Sequence, residues 1–332
     1  MKVFIKAIDY YLPQTIVTND DLARDFPEWT IDKIADKVGV KKRHISSEHE
    51  TAVDLAVMAA QKLFAQGIDK ESVDYILFCT QSPDYYLPAS ACIIQNRLGL
   101  SNEIGALDFN QGCSGFVYGL SLAKGLLVAG IARNILLLTG ETYNKRLHPK
   151  DKGNRSIFGD AAAAVLIASA GFAEIGEFCL GTDGSGAENL IIKTGGSRRP
   201  EKANIVEFDE NNNPISPDYI YMDGSEIFSF TLRSVPVLVE KTIEKNNITK
   251  NSIDLYIFYQ ANKYMLDFLR KKIKIDKDKF YIYLSEVGNT VSSTIPIAIC
   301  EAMKDGALNK GMKVLLAGFG IGYSWGGCVL RF

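Results

Sequence analysis

Ser72-Val-Asp-Tyr-Ile-Leu-Phe-Cys-Thr-Gln81 returns far down the chain as Ser252-Ile-Asp-Leu-Tyr-Ile-Phe-Tyr-Gln260, one position shorter. Each copy has a polar start, an aspartate and an apolar, β-prone run that ends at a glutamine, the pattern of a buried strand. The parallel extends outward. Gly112-Cys113 opens a helical run, Phe116 to Ala129, which leads through Arg133 to the apolar strand Ile135 to Gly140. Gly288-Asn289 opens a run from Ser293 to Met303, which leads through Lys310 to Val314 to Gly318. Each half closes on a glycine-bearing turn and a last apolar strand, within Phe158 to Ile167 and within Gly320 to Leu330. Strands alternating with amphipathic helices predict an α/β protein with largely parallel sheets, covered by helices on both faces. A repeat offset of about half the chain predicts two halves, 1–170 and 171–332, packed as a pseudo-dimer. Ligands of such sheets sit beyond the C-terminal ends of the strands, so the turns at Cys113, Gln260 and Asn289 are expected to meet in one cleft.

The bulk numbers narrow the classes. The 332 residues are 47% hydrophobic and 23% charged, an ordinary globular composition with an ample core. A formal charge of −2 gives no reason to expect nucleic acid or an anionic membrane as partner. No apolar run reaches the length of a membrane span. The start, Met1-Lys-Val-Phe-Ile-Lys-Ala, is interrupted by Lys6 and Asp9 and reads as a strand, not a signal peptide. The expected location is the cytoplasm, with the six cysteines reduced. None of them forms a Cys-x-x-Cys or a Cys/His cluster, so no metal site is expected.

One cysteine stands apart. In Asp108-Phe-Asn-Gln-Gly-Cys113-Ser-Gly-Phe116 it follows a strand-like run, Ile104 to Phe109, and precedes the helix. There the unpaired N–H groups and the macrodipole favour the thiolate, a nucleophile for an acyl group. On the local pattern alone Cys113 is equally a buried small apolar residue.

Six motifs in order carry a resemblance. They are Gly39-Val-Lys-Lys-Arg-His44-Ile, Asp108 to Phe116, Phe158-Gly-Asp-Ala-Ala-Ala, Gln260-Ala-Asn262, Gly288-Asn289-Thr290 and Gly320-Ile-Gly-Tyr-Ser-Trp-Gly326. With them the chain resembles, from end to end, the β-ketoacyl-acyl-carrier-protein synthase III group of the thiolase superfamily. The resemblance implies thiolase-like duplicated βαβαβαββ halves in a five-layered αβαβα architecture. It implies a homodimer that needs no cofactor; its substrates are acyl-CoA or acyl-carrier protein, the carrier bearing phosphopantetheine. Cys113 would be acylated, then attacked by a carbanion made by decarboxylating malonyl-carrier protein. The N–H groups of Cys113 and Ile321 would form the oxyanion hole, and Asn289 would donate to the extender thioester carbonyl. Asn262, Leu87 and Phe228 would contact substrate, with Leu87 in the loop that closes the partner's acyl pocket. Lys37 and Lys152 stand where the family uses arginines toward CoA, and they lose the planar guanidinium fork. Arg233, on the helical stretch Ser225 to Val239, would dock the carrier protein. The stretch from Gly195 to Pro217 reads as a lid loop.

The family's catalytic histidine is replaced by Tyr259. A phenol with a pKa near 10 is a poor base at neutral pH, but it keeps a hydroxyl donor, so Tyr259 and Asn289 are expected to hold the carbonyl together. His44, His49 and His148 read as structural or solvated. The leading expectation is a ketosynthase. Its rivals are an acyltransferase that passes the Cys113-bound acyl group to a hydroxyl, amine or thiol, and a non-catalytic subunit that binds a carrier protein or an active homologue.

Overall fold

The computed structural model describes residues 1–28, 38–210 and 212–332, which leaves Lys37 and Trp29 outside the described residues. Its large sheet has ten strands. They are β1 (Phe4–Tyr11), β2 (Tyr75–Cys79), β3 (Gly105–Phe109), β4 (Asn134–Glu141) and β5 (Ala161–Ala168), then β6 (Ala173–Thr182), β7 (Leu255–Phe258), β8 (Phe280–Tyr281), β9 (Lys313–Gly320) and β10 (Ser324–Arg331). Their order, β3-β2-β4-β5-β1-β6-β10-β9-β7-β8, reads the same way from either end once each strand is matched to its repeat. The halves join where Phe4 and Ile5 of β1 pair with Glu174 and Ala173 of β6.

The helices are α1 (Asn19–Asp25), α2 (Ala52–Phe64), α3 (Ser90–Leu98), α4 (Gly115–Val128), α5 (Lys152–Ile157), α6 (Gly224–Lys245), α7 (Lys263–Ile273) and α8 (Thr294–Lys304). Each repeat therefore runs βαβαβαββ. The alternation of side chains along the strands builds five layers. Ile76 and Phe78 face α2 and α3, whereas Leu77 between them faces α4. In the second half Tyr256 and Phe258 face α6 and α7, and Leu255 and Ile257 face α8. The paired helices α4 and α8 thus form the central layer, sealed on both sides by apolar strand faces.

Only the outer three strands of each half pair in parallel. The remaining pairings are antiparallel, which corrects the expectation of largely parallel sheets. For β9 and β10 the cause is their short link, since a parallel return needs a crossover of a dozen or more residues. Among the described residues no helix is long and apolar enough to cross a membrane.

Candidate active site

Cys113 lies in the turn between β3 and α4, only 6% exposed. Behind it, the Asp108 carboxylate accepts the N–H groups of Ser90 (2.5 Å) and Ala91 (2.6 Å), which ties the end of β3 to the start of α3. Strand β9 of the other half approaches the turn so closely that two positions admit no side chain. A Cβ at Gly318 would stand 2.9 Å from Ser114 Cα and 3.0 Å from the Cys113 carbonyl oxygen. One at Gly320 would stand 2.7 Å from both Cβ and Sγ of Cys113.

Asn289 is clamped by its backbone. Its N–H donates to the Ile157 carbonyl (2.8 Å) and its carbonyl accepts the Gly159 N–H (3.0 Å), so the Phe158-Gly159-Asp160 block positions it. Gly288 enters this turn at φ +72°, a conformation glycine adopts without penalty. Asp160 completes the frame by accepting the Ser46 N–H (2.9 Å), the Ser46 hydroxyl (2.8 Å) and the Asn144 N–H (3.1 Å). Tyr259 extends β7, its N–H donating to the Ala317 carbonyl at 2.8 Å.

Cys113, Tyr259 and Asn289 thus converge on one cavity, with Phe319 and Met265 among its walls. Asn289 Nδ2 donates to the Tyr259 hydroxyl (2.6 Å) and to the Ala261 carbonyl (3.4 Å), and its Oδ1 accepts the Val291 N–H (3.0 Å). Burial pushes the Cys113 thiol up to about 11, against the pull of the Tyr259 hydroxyl and of the N–H groups of Ile321 and Cys113. The helix terminus therefore does not hold Cys113 as a thiolate, because the desolvation of the buried sulfur outweighs it. Tyr259 is likewise pushed well above its ordinary range, first by burial and then by the neighbouring sulfur. A phenol so placed is a donor and not a base.

Iodoacetamide labelling of Cys113 should accordingly quicken about tenfold per pH unit from pH 7 to pH 10, following the thiolate fraction. A rate that levels off below pH 8 would contradict a buried, protonated thiol.

The other expected site residues are spread out. Asn262 lines the cavity and its Oδ1 caps α7 by accepting the Met265 N–H at 2.8 Å. Phe228 does not line it; the ring packs on Tyr264 and Phe268. Lys152 faces Glu28 at 3.3 Å. Leu87 is 82% exposed, next to the exposed Tyr85 and Tyr86, and does not line this chain's own cavity. Arg233 is also exposed, with Asp183 at 3.9 Å. The described part of the Gly195 to Pro217 loop is anchored at Asp218, which accepts the N–H groups of Ala203 and Asn204, both at 2.8 Å, and it does not line the cavity. His44 meets the Pro13 carbonyl (2.6 Å), His148 packs edge-on against Tyr219, and none of the three histidines reaches the cavity.

Glu141, at the end of β4, had no sequence signal. It is fully buried, accepts the Gln81 N–H (2.9 Å) and the Ser82 hydroxyl (2.8 Å), and is pushed up to about 8 by burial.

Comparison with known proteins places this site in context. The family description "3-Oxoacyl-[acyl-carrier-protein (ACP)] synthase III" matches residues 107–184, and that of its C-terminal region matches residues 243–332. A β-ketoacyl-[acyl-carrier-protein] synthase III of Clostridium perfringens is 35% identical over 324 residues, 97% of this chain and 96% of the relative. One from Caldanaerobacter subterraneus is 34% identical over 328 residues, 97% and 95% of the two chains. A crystal structure of a 3-oxoacyl-(acyl-carrier-protein) synthase III is similar with a TM-score of 0.98 and 47% identity over all of both chains. A 3-oxoacyl-(acyl-carrier-protein) synthase from Burkholderia xenovorans has a TM-score of 0.91 at 34% identity, over 99% of this chain and 94% of that one.

Proposed function

The chain belongs to the 3-oxoacyl-[acyl-carrier-protein] synthase III family, and from that premise we propose that it joins an acyl group carried on Cys113 to a malonyl-derived extender. The observation that carries this reading is the convergence of Cys113, Tyr259 and Asn289 on one cavity, with the Ile321 N–H aimed at the Cys113 sulfur.

The chemistry runs in two halves. Cys113 sulfur attacks the carbonyl of an acyl-CoA or acyl-carrier thioester, the oxyanion resting on the N–H groups of Cys113 and Ile321. The donor's C–S bond breaks, and its thiol leaves with the proton that Cys113 gave up. A malonyl thioester then takes the vacated place. Its carboxylate leaves as carbon dioxide, the bonding pair moving into the thioester as an enolate held by the Tyr259 hydroxyl, which Asn289 supports. The enolate carbon attacks the acyl carbonyl, and the Cys113 thiolate departs and is reprotonated. No cofactor enters either half. Residues beyond the cavity belong to partners: Tyr85, Tyr86 and Leu87 face a second copy of the chain in a homodimer, and Arg233 faces the carrier protein. The reading places the enzyme in the cytoplasm, where its free cysteines stay reduced.

The test supplies radiolabelled acyl-CoA or acyl-carrier protein, then malonyl-carrier protein, and follows protein-bound label and carbon dioxide. Label on Cys113 followed by carbon dioxide release is the expected result. Label without carbon dioxide would leave an acyltransferase, and no label from any donor would remove both enzymatic readings.

A further inference from the structure

The hydrogen-bonding capacity of Asn289 is already taken up inside the protein. One Nδ2 hydrogen goes to the Tyr259 hydroxyl oxygen at 2.6 Å, the other to the Ala261 carbonyl at 3.4 Å, and Oδ1 accepts the Val291 N–H at 3.0 Å. Asn289 is 3% exposed and its backbone is held on both sides by Ile157 and Gly159, so the amide has no freedom to swing toward a ligand. Tyr259, by contrast, has a hydrogen to give. Its oxygen accepts from Asn289, it lines the same cavity as Cys113, and its hydroxyl pulls the Cys113 thiol down toward the thiolate.

We propose that Asn289 is a positioning residue that acts through Tyr259, and that the Tyr259 hydroxyl is the side-chain donor to the reacting atoms in both halves of the reaction. The proposal rests on the condensing reading for its second half only. While Cys113 is free, the accepted amide hydrogen fixes the phenol's lone pair and turns its O–H to the sulfur, easing loss of the thiol proton. Once the sulfur is bonded to an acyl carbon it carries no charge and accepts weakly. The same O–H then turns to the extender carbonyl, where it meets the oxygen on which the enolate charge collects as the carboxylate leaves as carbon dioxide. A donated hydrogen bond on the phenol oxygen polarises that O–H and strengthens it at both stations.

A double-mutant cycle of Tyr259→Phe and Asn289→Ala tests this with two readouts. The first is iodoacetamide labelling of Cys113 at fixed pH, which needs no substrate. Each single variant should label about tenfold more slowly than wild type, and the double variant no more slowly than Tyr259→Phe alone. The pH profile of labelling should shift upward equally in all three variants. Asn289→Asp keeps an acceptor for Val291 but draws the phenol hydrogen away from the sulfur, so it should label as slowly as Tyr259→Phe. It guards against a folding defect in the alanine variant. The second readout is carbon dioxide release from malonyl-carrier protein by the acylated proteins. There each single variant should lose about a hundredfold, and the double no further activity. If Asn289→Ala still slows labelling in the Tyr259→Phe background, the amide acts on the sulfur directly and the proposal is overturned. A further tenfold loss of carbon dioxide release in that background overturns it for the second half. Absence of carbon dioxide release from wild type would remove the condensing reading, and the labelling cycle would still decide the proposal.

Discussion

Cys113→Ala is expected to lose acyl uptake by a factor of about 10⁴ or more while the protein stays folded. The sulfur is served by both the Ile321 N–H and the Tyr259 hydroxyl, and no other described cysteine lines the cavity. Removing it deletes the covalent step and leaves only binding. Stability should fall by about 1 kcal/mol, the cost of a small void in a packed core. The measurement pairs label incorporation with thermal unfolding. Undiminished label would place the acyl group on a different residue and dismantle the proposed chemistry.

Gly320→Ala is expected to have the second largest effect, although the residue does no chemistry. Its new Cβ would stand 2.7 Å from both Cβ and Sγ of the nucleophile, inside any tolerable contact. Strand β9 is hydrogen-bonded along both edges, to β7 and to β10, so the cysteine must give way and not the strand. A nucleophile displaced by about 1 Å loses on the order of a hundredfold in rate, and overpacking costs about 1–3 kcal/mol. Gly125→Ala, in the middle of α4 with nothing within 4 Å of its Cβ, is the matching control. It should be as active as wild type and slightly more stable, because alanine suits a helix interior better. Equal activity of Gly320→Ala and Gly125→Ala would show that the contact seen here is relieved at no cost.

Much of the architecture was legible along the chain. The paired runs ending at Gln81 and Gln260 became β2 and β7 with their adjoining turns, and the run after Cys113 became α4, shifted by one residue at each end. These elements are written in local periodicity, and local periodicity survives without knowledge of the fold. Strand direction was not legible in the same way. The short link between β9 and β10 forces an antiparallel return, whereas β4 and β5 pair antiparallel across a long link that carries α5 and bears no such local mark.

The site divided along the same line. Cys113 and Asn289 were marked by their turns, which a strand-end rule brought together with the turn at Gln260, and Tyr259 was marked by the family resemblance. Glu141 carried no mark because a glutamate in an apolar run announces nothing until Gln81 and Ser82 close over it. The ionic surroundings of Lys152 were equally silent: Glu28 faces it only because the chain folds back.

The sequence by itself determined the duplication and the nucleophile turn, since each is written in local patterns, one of them repeated half a chain away. Only the tertiary structure decided that the thiol is protonated at rest and that Asn289 spends its amide on Tyr259. Desolvation and hydrogen-bond pairing arise between groups far apart in the chain, and their balance exists only once both halves have closed around the sulfur.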